Sequence, residues 1–266
     1  MAEFLINQLR SDTGDLTFYT AQPWVGPPRP VVLFIHGALR SANELAHWAD
    51  NFEGLADVAL LDMPGHGRSQ PIFPATFDAM VNKIVDGIRV GLAGRDVVLV
   101  GESLGGLMAL AIGGRPDAGP VRAVLAADPP ITTKKLLHVH RNFQNVIAQT
   151  KEPAFLESFA FETLGIAGTS AEDRIYYSVF DDLHVPAKIV AGDRELFPLR
   201  ARDDIAILFD KVDQSIVERF YGDKVTVHRI EDSGHLVLVD RVGPCLEHIK
   251  SLLADVVADR EALAAK

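Results

Sequence analysis

Five consecutive apolar residues, Val31-Val32-Leu33-Phe34-Ile35, run without a polar interruption into His36-Gly37. A strand with one wet face alternates apolar and polar side chains; a continuous run is buried on both faces, as in a parallel sheet covered by helices. The chain repeats this sign at residues 58–61 and 97–100, and with a single charged residue, Arg122 or Lys188, at 121–127 and 187–191. Helical spacing fills residues 42–53, 77–90 and 104–112 between the earlier runs. Such alternation predicts an α/β fold, a mostly parallel central sheet with helices on both faces. Ahead of it, residues 4–9 and 16–20 read as two strands of an antiparallel edge hairpin around a turn at 12–14. A proline-rich connection follows at 23–30.

The rhythm changes between Asp128 and Leu183. No buried strand is legible there, whereas residues 134–150, 153–164 and 171–180 have helical character. An insertion of about 55 residues between sheet strands reads as a small helical cap, giving a core of residues 1–127 and 184–266 and a cap of 128–183. After the strand at 187–191 the pattern continues with a helical segment around 202–220, a last strand at 225–230 and a closing helix at 244–261.

Composition narrows the function classes. Of 266 residues, 48% are hydrophobic and 23% charged, as in ordinary soluble globular chains. The net charge of −10 repels polyanions and no Lys/Arg cluster offsets it, so no nucleic-acid partner is expected. The apolar stretches are strand-sized, short of the roughly 18 residues that suggest a membrane span, and the first ten residues lack the pattern of a signal peptide. The single cysteine, Cys245, permits no intramolecular disulfide and fits a cytoplasmic location. Nothing in the pattern selects an oligomeric state.

The segment Gly101-Glu102-Ser103-Leu104-Gly105 joins the apolar run at 97–100 directly to the apolar helix beginning at Leu104. Gly-x-Ser-x-Gly alone is short enough to arise by chance, and a serine before a helix also serves as an N-cap. Its strand–turn–helix setting is what a nucleophile elbow requires. There the serine occupies a strained backbone position, the glycines admit a close strand–helix crossing, and the helix N-terminus offers free N–H groups to a developing oxyanion. A serine hydroxyl needs a base to accept its proton. Among nine histidines, His235 is the favoured base: it follows the last strand in the turn Asp232-Ser233-Gly234, after the serine in chain order.

Five segments in order, His36-Gly37, Asp62-Met63-Pro64-Gly65-His66-Gly67-Arg68-Ser69, residues 101–106, residues 192–198 and Ser233-Gly234-His235, make the chain resemble the α/β-hydrolase superfamily. The resemblance is to its small capped members: esterases, lactonases, carbon–carbon bond hydrolases and cofactor-free haloperoxidases. It implies the α/β-hydrolase fold, Ser103 as nucleophile, and an oxyanion hole formed by the backbone N–H groups of Ala38 and Leu104. It also implies a triad acid in Gly192-Asp193-Arg194-Glu195-Leu196-Phe197-Pro198. Relatives commonly carry Gly-x-x-Asp there, so the matching position is Glu195, a departure by one methylene. Asp193 is the nearby rival, and Asp128, after the strand ending at Ala127, is the most interesting of the other carboxylates.

No metal or cofactor is called for. Gly65-His66-Gly67 lacks the remainder of any phosphate-binding pattern, and no His or Cys spacing suits zinc. Phe143, Phe155, Phe159, Phe161, Tyr176, Tyr177 and Phe180 fall in the insertion; singly they read as packing, collectively they make an apolar pocket for a small molecule plausible. The expected chemistry is hydrolysis of a carboxylic ester through an acyl-enzyme. The alternatives are lactone or carbon–carbon bond hydrolysis, perhydrolysis, or a scaffold that only binds a ligand. Related dehalogenases and epoxide hydrolases place Asp at the nucleophile position, so Ser103 argues against both.

Overall fold

The apolar runs lie side by side in one eight-stranded sheet of the computed structural model, which describes residues 3–9, 15–22, 24, 28–150, 153–168, 170–194 and 207–264. In chain order the strands are β1 (Glu3–Leu9), β2 (Leu16–Gln22), β3 (Val31–Ile35), β4 (Asp57–Asp62), β5 (Val97–Glu102) and β6 (Val121–Ala127). Two short strands, β7 (Ile166–Ala167) and β8 (Ser170–Ala171), pair separately, and β9 (Ala187–Gly192) and β10 (Val225–Ile230) complete the sheet. Its order is β1-β2-β4-β3-β5-β6-β9-β10. Only β1 and β2 run antiparallel to their neighbours, forming the expected edge hairpin; every pairing from β4 to β10 is parallel.

The pleat explains the continuous apolar runs. Val31, Leu33 and Ile35 face one side of the sheet, where α1 (Phe77–Gly91) and α2 (Leu104–Gly113) bring Met80, Ile84, Leu107 and Met108 against them. Val32 and Phe34 face the other side, against Trp48 and Phe52 and against Ile249 and Leu252 of α7 (Val242–Ala264). Each such side chain removed from water contributes about 1.5–3 kcal/mol, which is why β3, β5 and β6 carry hardly a polar residue. Cys245 is buried in this second layer.

Helix α1 begins where Thr76 Oγ1 accepts the Ala79 N–H at 3.2 Å, with Asp78 in the first turn and Arg89 in the last, matching the helix dipole. Residues 42–52, with helical spacing, form a 3-10 helix.

The insertion after β6 departs more from expectation. Residues 133–139 are a 3-10 helix leading into α3 (His140–Gln149), and α4 (Pro153–Glu162) follows. The helix expected at 171–180 is absent: β7 and β8 make a tight hairpin, the Arg174 N–H bonds Thr133, Ile175 bridges Thr132, and only Tyr177–Phe180 form a 3-10 turn. Tertiary pairing to the start of the insertion overrides local spacing here. The helix anticipated at 202–220 is observed as α5 (Lys211–Tyr221), capped by Asp210. Residues 195–206 lie outside the described residues. A four-residue helix, α6 (Val237–Asp240), precedes α7.

Candidate active site

The parallel strands deliver their carboxyl ends to one edge of the sheet, and the loops there hold all four non-glycine residues with positive φ among the described residues: Leu39, Ser103, Asp128 and Asp232. They follow β3, β5, β6 and β10 respectively. A left-handed backbone costs a non-glycine residue about 1–3 kcal/mol and persists only where the surroundings enforce it.

Ser103 has φ 55° and ψ −122° between β5 and α2. Its N–H donates to the Ala127 carbonyl at 2.7 Å, and its carbonyl accepts the Leu107 N–H at 3.0 Å, so the elbow is tied to both β6 and its own helix. A Cβ on Gly101 would stand 2.1 Å from the Gly105 oxygen, and one on Gly105 would stand 2.3 Å from the Ile35 oxygen. Both glycines therefore let backbone cross backbone at distances no other residue permits. A Cβ on Gly37 would come within 3.2 Å of Ser103 Cβ, which places the loop carrying Ala38 directly beside the serine. Leu104 opens α2, and the first N–H groups of a helix have no intrahelical acceptor.

His235 is 7% exposed, and its Nδ1 lies 2.5 Å from Asp128 Oδ2. The carboxylate accepts, so Nδ1 carries the hydrogen, which in the neutral ring leaves the lone pair on Nε2. Asp128 is fully buried, and it accepts from two successive backbone donors: Leu208 N–H to Oδ2 at 2.7 Å and Phe209 N–H to Oδ1 at 3.0 Å.

The carboxylate that meets His235 is therefore Asp128, ranked behind Glu195 and Asp193 from the sequence. Glu195 lies outside the described residues. Asp193 is exposed and turns its Oδ1 toward the Ser233 N–H, 3.4 Å away, while the Asp193 and Arg194 N–H groups both donate to the Ser233 carbonyl at 3.1 Å. Gly192 allows this interlock, since a Cβ there would sit 2.2 Å from that carbonyl. Asp193 thus shapes the loop that presents His235. The position of Asp128 after a buried strand was a usable signal; its φ of 45°, which turns it toward His235, was not.

A charged pair behind the serine was not legible in the sequence. Glu102 is fully buried, with Oε2 bonded by Arg40 Nη1, and Arg40 Nε also reaches Glu44 at 2.5 Å. Burial raises the Glu102 pKa, opposed by the Arg40 guanidinium. Its other oxygen, Oε1, has no hydrogen-bond partner among the described residues. Arg40 is thus engaged by two carboxylates beside the loop bearing Ala38.

His36 and His66 hold loops. His36 Nδ1–H donates to the Gly37 carbonyl at 2.7 Å while Nε2 accepts the Met63 N–H at 3.1 Å, stitching the β3 and β4 loops together. Burial, reinforced by the neighbouring His66, pushes its pKa down to about 3. His66 is lowered too, by burial, and its ring meets Phe155 and Phe159 edge-on at 5.8 and 5.3 Å. Phe143, Phe155, Phe159 and Phe180 are buried, and Phe161 is exposed. Tyr176 and Tyr177 donate their hydroxyls to the Thr163 carbonyl and to Asp213. Among the described residues no group of three or more His, Cys, Asp or Glu could hold a metal, and no helix is long and apolar enough to cross a membrane.

Comparison with known proteins agrees with this architecture. Residues 32–244 match the group described as "Alpha/beta hydrolase family". A non-heme chloroperoxidase of Kitasatospora aureofaciens is 34% identical over 116 residues, 41% of this chain and 40% of that protein, so the match spans about two-fifths of the relative's length. Among solved structures, an E-2-(acetamidomethylene)succinate hydrolase superposes with a TM-score of 0.69 at 18% identity, covering 95% of this chain and 100% of the other. A carboxylesterase of Bacillus subtilis gives 0.67 at 13% identity, covering 94% and 92%. At these identities the structural likeness speaks to the fold.

Proposed function

This chain belongs to the alpha/beta hydrolase family, and on that footing we propose that it is a serine hydrolase cleaving a small carboxylic ester with an apolar acyl group. The observation that carries the reading is the convergence, on one sheet edge, of a serine held at φ 55° and a histidine whose Nδ1 is bonded to a buried carboxylate. In this reading Asp128 takes the acid role expected of Glu195 or Asp193, and residues 128–183 act as the cap over the substrate.

The chemistry follows from the tautomer. His235 Nε2 accepts the Ser103 hydroxyl proton as Oγ attacks the ester carbonyl, and Asp128 stabilises the imidazolium that forms. The carbonyl oxygen gathers negative charge, which the N–H groups of Leu104 and Ala38 stabilise; one such donor is typically worth about 3–4 kcal/mol in the transition state. Collapse returns the proton from His235 to the departing alcohol and leaves an acyl-Ser103. Water, deprotonated by His235, then attacks the acyl carbon, and collapse releases the acid and restores the serine.

The chloroperoxidase relative favours one second reading. If hydrogen peroxide replaces water at the deacylation step, the acyl-enzyme is released as a peroxyacid, and the same residues serve perhydrolysis.

The test is pre-steady-state hydrolysis of p-nitrophenyl acetate and butyrate, with Ser103→Ala and His235→Ala alongside. A stoichiometric burst that Ser103→Ala abolishes supports the acyl-enzyme route. Folded protein that neither turns over these esters nor labels with a fluorophosphonate is a ligand-binding scaffold, and the proposal fails. Labelling without turnover points to another acyl substrate. Peroxyacid formation when peroxide and acetate are supplied favours the second reading.

A further inference from the structure

Asp128 Oδ1 is held by the peptide group joining Leu208 to Phe209, whose N–H donates to it at 3.0 Å. The carbonyl at the other end of the same rigid peptide accepts from Lys135 Nζ at 3.0 Å. Lys135 stands in the 3-10 helix at the start of the insertion, seven residues after Asp128 but 73 residues before the Leu208 carbonyl it braces. Its ammonium also meets Asp210 Oδ2 at 2.9 Å and Asp213 Oδ2. Asp213 is buried and accepts the Tyr177 hydroxyl at 2.7 Å, a second strut from the insertion. Burial, then the bond to Asp213, raises the pKa of Tyr177, so it stays a donor across the working range of pH. Asp210 in turn caps α5 through the N–H groups of Val212 and Asp213 at 2.8 and 3.0 Å.

The geometry points to Lys135 as a positioning residue for the Asp128–His235 pair, acting through the Leu208–Phe209 peptide and coupling the inserted segment to the catalytic base. A cation on the carbonyl polarises the peptide and strengthens its N–H as a donor, so the charge of Lys135 is felt at Asp128 without contact. The influence of Lys135 on Asp128 passes through a backbone unit that is held at both ends. The function assigned to this link rests on the serine-hydrolase reading, whereas the link itself is structural.

The experiment therefore has two readouts. The first is the low-field proton resonance of the His235 Nδ1–H hydrogen bond, assigned by its loss in His235→Gln. The second is the rate at which a fluorophosphonate labels Ser103. In Lys135→Met the resonance is expected to move upfield or to exchange faster with water. The labelling rate should fall by about 2- to 30-fold, the span of a coupling worth about 0.5–2 kcal/mol. Lys135→Gln keeps a donor without the charge; it is expected to fall between wild type and Lys135→Met, and it carries the test if the methionine variant does not fold. An unchanged resonance in folded Lys135 variants overturns the proposal. A changed resonance in a protein whose wild type resists labelling leaves Lys135 a positioning residue and removes the hydrolase reading instead.

Discussion

Asp128 and His235, 107 positions apart in the chain, meet at 2.5 Å across the carboxyl edge of the sheet, with the aspartate fully buried and its oxygens accepting from Leu208 N–H, Phe209 N–H and the imidazole. Two elements that the sequence separates widely are thus reduced to one hydrogen-bonded unit, and the unit depends on a third segment, residues 208–209, for its geometry.

If that unit orients the base, Asp128→Asn has a large effect on chemistry and a small one on affinity. An amide can present its NH2 to His235 and so stabilise the wrong tautomer, an effect that costs on the order of 10⁴ in kcat where it has been isolated. We expect kcat for p-nitrophenyl butyrate to drop by about three to four orders of magnitude. Asp193→Asn, which alters only the bond to Ser233, should cost less than about tenfold. A reversed ranking would place the acid in the 192–198 loop.

Gly101 and Gly105 separate steric necessity from chance. Alanine at either position drives a methyl into backbone oxygen at 2.1 or 2.3 Å, and backbone has nowhere to retreat between β5, β3 and α2. Each variant should lose about 3 kcal/mol or more, seen as a large fall in Tm or as insoluble protein. Gly243→Ala meets nothing within 4 Å, lies in a helix and should be neutral or slightly stabilising.

The Arg40–Glu102 pair predicts a pH-dependent penalty. Arg40→Met strands a buried carboxylate, and removing one partner of a buried pair costs about 3–5 kcal/mol. The Glu102 pKa is already raised by burial, so the folded protein holds its proton to higher pH than the unfolded chain does. Stability tied to Glu102 is consequently greatest at low pH and declines as pH rises through the carboxylate range. Without Arg40 the decline deepens: the Tm deficit of Arg40→Met should be larger at pH 8 than at pH 5. The double variant Arg40→Met/Glu102→Gln should recover part of it.

Acid sensitivity should follow the opposite sign at His36. Its folded-state pKa of about 3 lies below the ordinary imidazole value of 6.5, so between these limits the unfolded chain binds the extra proton. Its stabilising contribution is complete above pH 6.5 and is lost as pH falls from there toward 3, with His66 acting in the same direction. Thermal denaturation from pH 7.5 to 4.5 should show a falling Tm, and His36→Gln, less stable at neutral pH, should show a shallower slope. An equal slope in the variant would assign the acid sensitivity to other groups.

How much of this was legible in the sequence depends on how local the physics is. The strands β3, β5 and β6 announce themselves because burial on both faces makes their runs almost wholly apolar, and the elbow does so because only glycine fits its crossings. Ser103 could be singled out for that reason, and His235 by its place after the last strand and after the serine in chain order. The partner of His235 could not, since any carboxylate after a strand at that edge was eligible. The choice fell to the left-handed turn at Asp128 and to donors 80 and 81 residues away. The expected helix at 171–180 failed on similar grounds, overridden by bonds to residues 132 and 133. Nothing in the linear sequence marks Lys135 or Glu102, and only packing reveals that one braces a peptide and the other is buried beside the serine. Periodicity and steric need are written into neighbouring residues, so the sequence by itself determined the layers and the tight strand–helix turn at Ser103. Which charges meet depends on how distant loops converge at the sheet edge, and that the tertiary structure alone decided.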